Sequence, residues 1–282
     1  MTAAGAENSG GKEAAVKEAS KKHRGQHDYT HNFWLGCHKV SEGCKHCYMF
    51  VTQTSRRKAG WKRVPDPNVV TLVKGAFKTP LPVQRKAQRA RREDRRYKSV
   101  FACSYSDFFL PEADAWRDDA WALIRRTPNL IWQISTKRPE LIRDRLPADW
   151  GNGYPNVWLG TSVELKKHLS RLDTLRKIPC VLRWADFAPT LEDLMPELSE
   201  HIDGFGWVCG GGKEIACSNK ERRPHDLQWT RNIRDLCAKK GIPFYSTAFC
   251  GDGSLLDGVA HNEIPPLNPS RRLGTSAEGK SQ

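Results

Sequence analysis

No stretch of about 18 consecutive apolar residues occurs in this 282-residue chain, so no segment reads as a membrane-spanning helix. The first 27 residues are polar and lysine-rich, without the apolar centre of a secretory signal. Nothing therefore places the chain in an oxidising compartment. Its nine cysteines are not read as a disulfide framework, and a cytoplasmic protein is expected. A Walker loop, a dinucleotide-binding glycine fingerprint and a paired-carboxylate metal motif are all missing. So is any signal of a Ser or Cys nucleophile with a His base. Repeats of solenoid length are absent as well. Acids are the scarce charge, 32 against 46 Lys and Arg, which leaves a net charge of +14.

That balance favours a polyanionic partner, nucleic acid first. The excess is concentrated: Arg56 to Lys98 holds fifteen basic residues against Asp66, Glu93 and Asp94. Its densest part contains Arg85, Lys86, Arg89, Arg92, Arg95 and Arg96. These six are candidate nucleic-acid-binding residues on a helix predicted over Pro80–Arg96. The alternative is a solvated helix face. Counterion release would make phosphate binding steeply salt-dependent.

Hydrophobic residues at 38% and charged residues at 28% fit a globular protein rather than a disordered one. Short β-branched or aromatic runs alternate with amphipathic stretches. Strands are predicted at 68–73, 99–104, 130–135, 156–161, 180–184, 205–209 and 243–247, with one more possible before the first cysteines. Helices are predicted at 80–96, 113–126, 139–145, 164–176, 191–199 and 226–240, the last stopped by Gly241. This alternation predicts an α/β fold of parallel strands, a complete or partial (β/α) TIM-like barrel. Functional residues then gather at the C-terminal ends of strands. One domain is read over 28–265, flanked by polar tails at 1–27 and 266–282.

Cys103, Cys180, Cys209, Cys237 and Cys250 are scattered and read as packing residues, and Cys217 carries no signal. Cys37, Cys44 and Cys47 are different. They form C-x6-C-x2-C on a loop with Gly36 and Gly43, where the backbone can bend around a bulky group. Zinc would need a fourth ligand, for which His38 and His46 are at hand. A [4Fe–4S] cluster needs only three cysteines if its fourth iron stays open. Both readings stand on the spacing alone.

Trp34-Leu35-Gly36-Cys37 followed by Ser41-Glu42-Gly43-Cys44-Lys45-His46-Cys47-Tyr48 resembles the opening of a phage and bacterial three-Cys-motif family related to radical S-adenosylmethionine (SAM) enzymes. Ser104 to Phe109, Gln133 to Glu140, Asn156 to Glu164 and Trp207 to Glu214 are similar to later blocks of that family, in order. Three positions depart from its pattern: Glu214 is displaced by one residue, Ala188-Pro189 stands where the family has Glu-Pro, and Thr247 replaces a lysine.

The resemblance implies a radical SAM type of barrel. It implies that Cys37, Cys44 and Cys47 ligate a [4Fe–4S] cluster whose open iron chelates SAM. One electron, from a donor such as a flavodoxin or ferredoxin, then cleaves SAM to a 5′-deoxyadenosyl radical that abstracts a substrate hydrogen. His46 and Tyr48 beside the last cysteine, with Ser162, Glu164, Arg183, Gly211 and Gly212, are the candidate cofactor-binding residues. Asp107, Lys137 and Arg138 after their strands are the candidate catalytic residues. The substrate suggested is nucleic acid or a nucleotide, inside a bacterial cell or phage-infected host. The competing reading is a zinc- or cluster-stabilised nucleic-acid-binding protein without catalysis.

Overall fold

The computed structural model describes residues 26–62, 64–92, 95–212, 214, 221–247 and 255–268. Cys217, Cys250, Lys213 and most of both tails lie outside them.

Seven parallel strands form one sheet: β1 (Tyr29–His31), β4 (Lys98–Ala102), β5 (Leu130–Thr136), β6 (Val157–Ser162), β7 (Arg183–Phe187), β8 (Trp207–Gly210) and β9 (Phe244–Ser246). Their order in the sheet is their order in the sequence. A parallel sheet laid down in this order, with a crossover after each strand, curls in one sense. Among the described residues β1 and β9 end the order without pairing with each other, and β9 is met on its outer side only by an antiparallel bridge from Asn262 to Tyr245, so the result is a curled half-barrel. The partial-barrel expectation is correct.

Strand alternation sorts side chains between the two faces. Val100, Trp132, Ile134, Val157, Leu159, Ala185, Phe187, Val208 and Phe244 face the outer layer. There they pack against α3 (Asp114–Arg125), α4 (Ser170–Arg176) and α6 (Leu227–Lys240). Ile131, Trp158, Trp184, Trp207, Cys209 and Tyr245 fill the concave side. Trp158, Trp184 and Trp207 come from adjacent strands; the Trp207 ring centroid lies 5.6 Å from that of Trp158 and 5.4 Å from that of Trp184. Gly160 makes this stack possible: a Cβ there would lie 2.3 Å from the Trp184 indole.

Between β1 and β4 the chain makes a long excursion. β2 (Trp34–Leu35) pairs antiparallel with β3 (Thr71–Leu72), apart from the main sheet. The cysteine loop and α1 (Tyr48–Lys58) lie between them, and α2 (Pro80–Gln88) follows. The strand predicted at 68–73 is thus only β3, outside the barrel.

Several predicted helices are shorter than their sequence pattern. α2 stops at Gln88, where Arg89, Arg91, Arg92, Arg95 and Arg96 crowd successive turns with like charge. Residues 139–145 form two 3₁₀ turns, Pro139–Leu141 and Arg143–Arg145, too short to nucleate an α-helix. Glu164 is drawn into buried ion pairs instead of opening a helix, so α4 begins at Ser170. Pro196 cannot sit in a helix interior, and only α5 (Leu198–His201) forms there. By contrast α6 matches its reading, with Asp226 capping the Gln228 N–H and Gly241 left-handed at φ 65°. No described helix is long and apolar enough to cross a membrane.

Candidate active site

A cavity of about 590 Å³ opens at the C-terminal ends of the strands. The tryptophan layer lies below it on the concave face. Ser135, Ser162 and Asp186, further along the strands on the same face, line its floor. Ser135 Oγ is 3.4 Å from Ser162 Oγ, which in turn lies 3.5 Å from Asp186 Oδ2. Burial pushes the Asp186 carboxyl up to about 6, against the pull of Lys137.

Cys37, Cys44 and Cys47 all line the cavity. Other elements pin their loop from outside. The Cys37 N–H donates to Pro67 O at 2.9 Å. His38 pairs with Glu112 at 2.7 Å, and His168 with Glu42 at 3.0 Å. Arg223 donates to Glu42 O at 2.8 Å and also pairs with Glu214, itself on the cavity wall. Ser41 donates to Glu164 Oε1 at 3.3 Å, and the backbone of Gly43 rests on that same carboxylate.

Lys137 and Arg138 leave the end of β5 and split to opposite sides. Lys137 Nζ meets Glu164 Oε1 at 3.0 Å. Burial opposes its charge, but Glu164, Cys44 and Asp186 outweigh burial and hold its pKa above the ordinary lysine value. Arg138 meets Asp107 Oδ2 at 3.0 Å, caps the His38 carbonyl and lies 4.0 Å from the Cys37 sulfur. Burial again opposes the charge, and Asp107 and Cys37 again outweigh it. Burial and Asp107 push the Cys37 thiol up to about 12 against Arg138. Two permanent cations therefore flank two of the three sulfurs.

The remaining candidate residues divide. Asp107 faces the cavity, but its oxygens are occupied: they accept from Thr136 Oγ1 at 2.8 Å, the Phe109 N–H at 2.9 Å and Arg138. It orders the loop after β4 and orients Arg138. Glu164 is fully buried between Lys137 and Arg171, 3.0 Å from each, and does not line the cavity. It ties the cysteine loop to the barrel. Tyr48 lines the wall with its hydroxyl on Ser104 O. Among the described residues His46 Nε2 and Thr247 Oγ1 are buried without a hydrogen-bond partner, and both residues face the cavity.

Three of the candidate cofactor-binding residues, Arg183, Gly211 and Gly212, do not line the cavity. Arg183 sits at the N-terminal end of β7 and donates to Leu175 O and Ile178 O, at 3.3 and 2.6 Å. Helix-end carbonyls, rather than an anion, answer its charge. Gly211 and Gly212 do not line the cavity; a Cβ on Gly211 would collide with Thr230, and Gly212 O accepts from Thr190 at 3.0 Å. They form a packed turn. The basic residues from Arg85 to Arg96 lie toward the N-terminal ends of the strands. Arg96 O accepts from Asn129, which precedes β5, and Gln84 bonds the same asparagine. That end is remote from the cavity mouth.

Residues with no sequence signal complete the wall. Gln26 and His27, read as tail, line the cavity; His27 stacks on Phe101 at 5.4 Å, and Gln26 O accepts from Gln133 at 3.3 Å. Arg171, the second cation on Glu164, was equally hidden.

Among the described residues no three His, Cys, Asp or Glu side chains stand close enough to share a single metal ion. One zinc would need its sulfurs all about 2.3 Å from one point. Cluster ligation is less demanding, because each thiolate binds a different iron. The donor chemistry fits a cluster: three thiols on one wall, two cations beside them, and buried polar atoms without partners facing the same space.

Residues 25–265 match a family model described as protein of unknown function (DUF5131). No curated protein matches the chain. Among solved structures, a cysteine-to-serine mutant of spore photoproduct lyase is 12% identical, over 79% of this chain and 78% of that one, with a TM-score of 0.48. The same lyase complexed with dinucleoside spore photoproduct is 11% identical over 76% and 75%, TM-score 0.46. A double mutant with bound AdoMet and dinucleoside spore photoproduct is 14% identical over 77% and 62%, TM-score 0.44.

Proposed function

The chain belongs to the DUF5131 family of proteins of unknown function, and from its site we propose an iron–sulfur enzyme of the radical SAM type that acts on nucleic acid or a nucleotide. The observation that carries this reading is the lining of one cavity by Cys37, Cys44 and Cys47 at the C-terminal ends of a parallel half-barrel. Cys37, Cys44 and Cys47 would hold a [4Fe–4S] cluster, which with SAM supplies one-electron reductive cleavage and hydrogen abstraction when charged by a donor such as a flavodoxin or ferredoxin.

The protein's own residues have distinct tasks. Lys137 and Arg138 offset the negative charge that three thiolates bring into a poorly solvated wall. His46 Nε2 and Thr247 Oγ1 offer unused hydrogen-bonding capacity to polar atoms entering the cavity. Asp186, whose carboxyl burial raises to about 6, holds or releases a proton at the cavity floor. The tryptophan layer closes the barrel below and excludes water. Glu164 and Asp107 position these groups.

Anaerobic reconstitution with iron and sulfide tests the proposal. The protein should turn brown with broad absorption near ~400 nm, and on reduction with SAM it should release 5′-deoxyadenosine. Cys44→Ala should abolish both. A colourless protein carrying stoichiometric zinc would sink the reading.

A further inference from the structure

The steepest local charge beside the cavity lies on α1 and the turn that follows it. From Tyr48 to Pro65 the sequence has five basic residues, Arg56, Arg57, Lys58, Lys62 and Arg63, and no acid. The first turn of α1 is part of the cavity wall through Tyr48 and Phe50. Met49, Phe50 and Gln53 are buried and anchor the helix. Its last turn has left the body of the protein: Arg57, Lys58, Ala59, Gly60, Trp61 and Lys62 are exposed in unbroken succession. At 1.5 Å per residue, Arg57 lies about 10 Å along the helix from Phe50, on the same stripe.

Trp61 is the most unusual member. It is 62% exposed, the highest value among the large hydrophobic residues described, in a protein that buries seven other tryptophans to 5% exposure or less. Its ring is not a core residue that missed its place. The turn holds it, with the Trp61 N–H on Arg56 O at 3.0 Å and the Arg56 guanidinium 5.3 Å from the ring centre. The nearest acid, Asp66, reaches Arg57 only at 3.9 Å, and both side chains are about half exposed. Such a pair is weak and easily exchanged for another anion. Beyond it the chain returns to the cysteine loop at Pro67. The element is a closed excursion from the rim of the site.

An exposed aromatic face among cations, with no acid in the segment, is the pairing that binds single-stranded nucleic acid: bases stack and phosphates meet charge. We propose that the tip of α1, Arg56 to Lys62, binds a nucleic-acid strand beside the cavity mouth, with an unpaired base stacked on Trp61. As the substrate class of the site, this rests on the enzymatic reading above; as a binding surface it stands without it. It also shifts the contact from Arg85–Arg96, at the other end of the barrel, to the end that carries the cysteines.

Fluorescence anisotropy of the full chain with a labelled single-stranded oligodeoxynucleotide and its duplex tests the assignment. Neither SAM nor reductant is added, so failed cluster chemistry and failed binding are read separately. The single strand should bind better than the duplex. Trp61→Ala should weaken binding about ten-fold, while Trp61→Phe, which keeps a stacking face, should largely retain it. Neutralising Arg56, Arg57, Lys58 and Lys62 to Gln should flatten the slope of log affinity against log salt by about 0.7 for each phosphate no longer neutralised. Arg57, Lys58, Trp61 and Lys62 are exposed and Arg56 is half-buried, and unchanged circular dichroism would exclude misfolding. Absence of binding by the wild-type chain would overturn the proposal. Unchanged affinity in both tip variants would do so too, as would a weakening confined to Arg85→Gln, Arg89→Gln, Arg92→Gln and Arg96→Gln.

Discussion

The backbone of Gly43 rests on the carboxylate of Glu164: a Cβ added to Gly43 would lie 2.4 Å from Oε1 and 2.5 Å from Cδ. The carboxylate cannot retreat, because Lys137 and Arg171 hold it from two sides at 3.0 Å. Gly43→Ala must therefore push out the loop that carries Cys44. Overpacking of this kind costs about 1–3 kcal/mol, and the displacement falls on a proposed ligand. The variant should fold but take up markedly less iron on reconstitution. Wild-type iron content would show that the contact does not set the loop.

Glu164→Gln leaves two cations facing a neutral amide. Glu164 is fully buried, Arg171 nearly so, and Lys137 is 21% exposed. Removing one partner from a buried ion pair costs about 3–5 kcal/mol, and the partial access of Lys137 points to the lower end. Urea unfolding should show a midpoint lowered accordingly. Glu42→Gln, at a carboxylate itself 43% exposed and paired with exposed Lys167 and half-buried His168, should change the midpoint much less.

The periodicity of the sequence carried the barrel, because Trp158, Trp184 and Trp207 alternate strictly with residues facing the helices. It missed the end of β7, where Asp186 breaks an apolar run and yet remains in the ladder opposite Cys209. A polar residue on the concave face of a strand looks like a strand end when only one chain is in view. The three cysteines singled out by their spacing do line one cavity. Position after a strand did not distinguish Lys137, which faces the cavity, from Glu164, which is consumed by its two cations. Gln26 and His27 looked like tail because their contacts, to Gln133 and Phe101, are long-range. Arg183 was the opposite case: a charge in a strand suggests a ligand, and backbone carbonyls at a helix end satisfied it.

Gly160→Ala probes the barrel interior. The added Cβ would lie 2.3 Å from Cε2 of Trp184, a ring that is wholly buried and packed 5.4 Å from Trp207. Neither ring can swing away without breaking the stack. A loss toward the upper end of about 1–3 kcal/mol is expected, with a lowered Tm and altered near-ultraviolet circular dichroism. A Tm equal to that of the wild type would mean that the layer repacks freely.

Asp186 ties stability to function through pH. Burial raises its carboxyl from 3.8 to about 6. Between those values the folded chain keeps a proton that the unfolded chain has released. Folding at Asp186 is therefore favoured below the window and loses stability as pH rises through it, at about 1.4 kcal/mol per pH unit and at most about 3 kcal/mol in all. Above pH 6 both states are ionised and the penalty persists. Asp186→Asn removes the titration, so the variant should gain on the wild type between pH 4 and pH 6 and stay ahead at pH 7. Urea midpoints across that range measure the difference, and a constant difference would show that Asp186 is not strained by burial. The same variant should lose turnover if the carboxyl moves a proton in the reaction. Greater stability together with lower activity would identify Asp186 as a charge kept in the barrel at a cost to the fold, which packing alone would not retain.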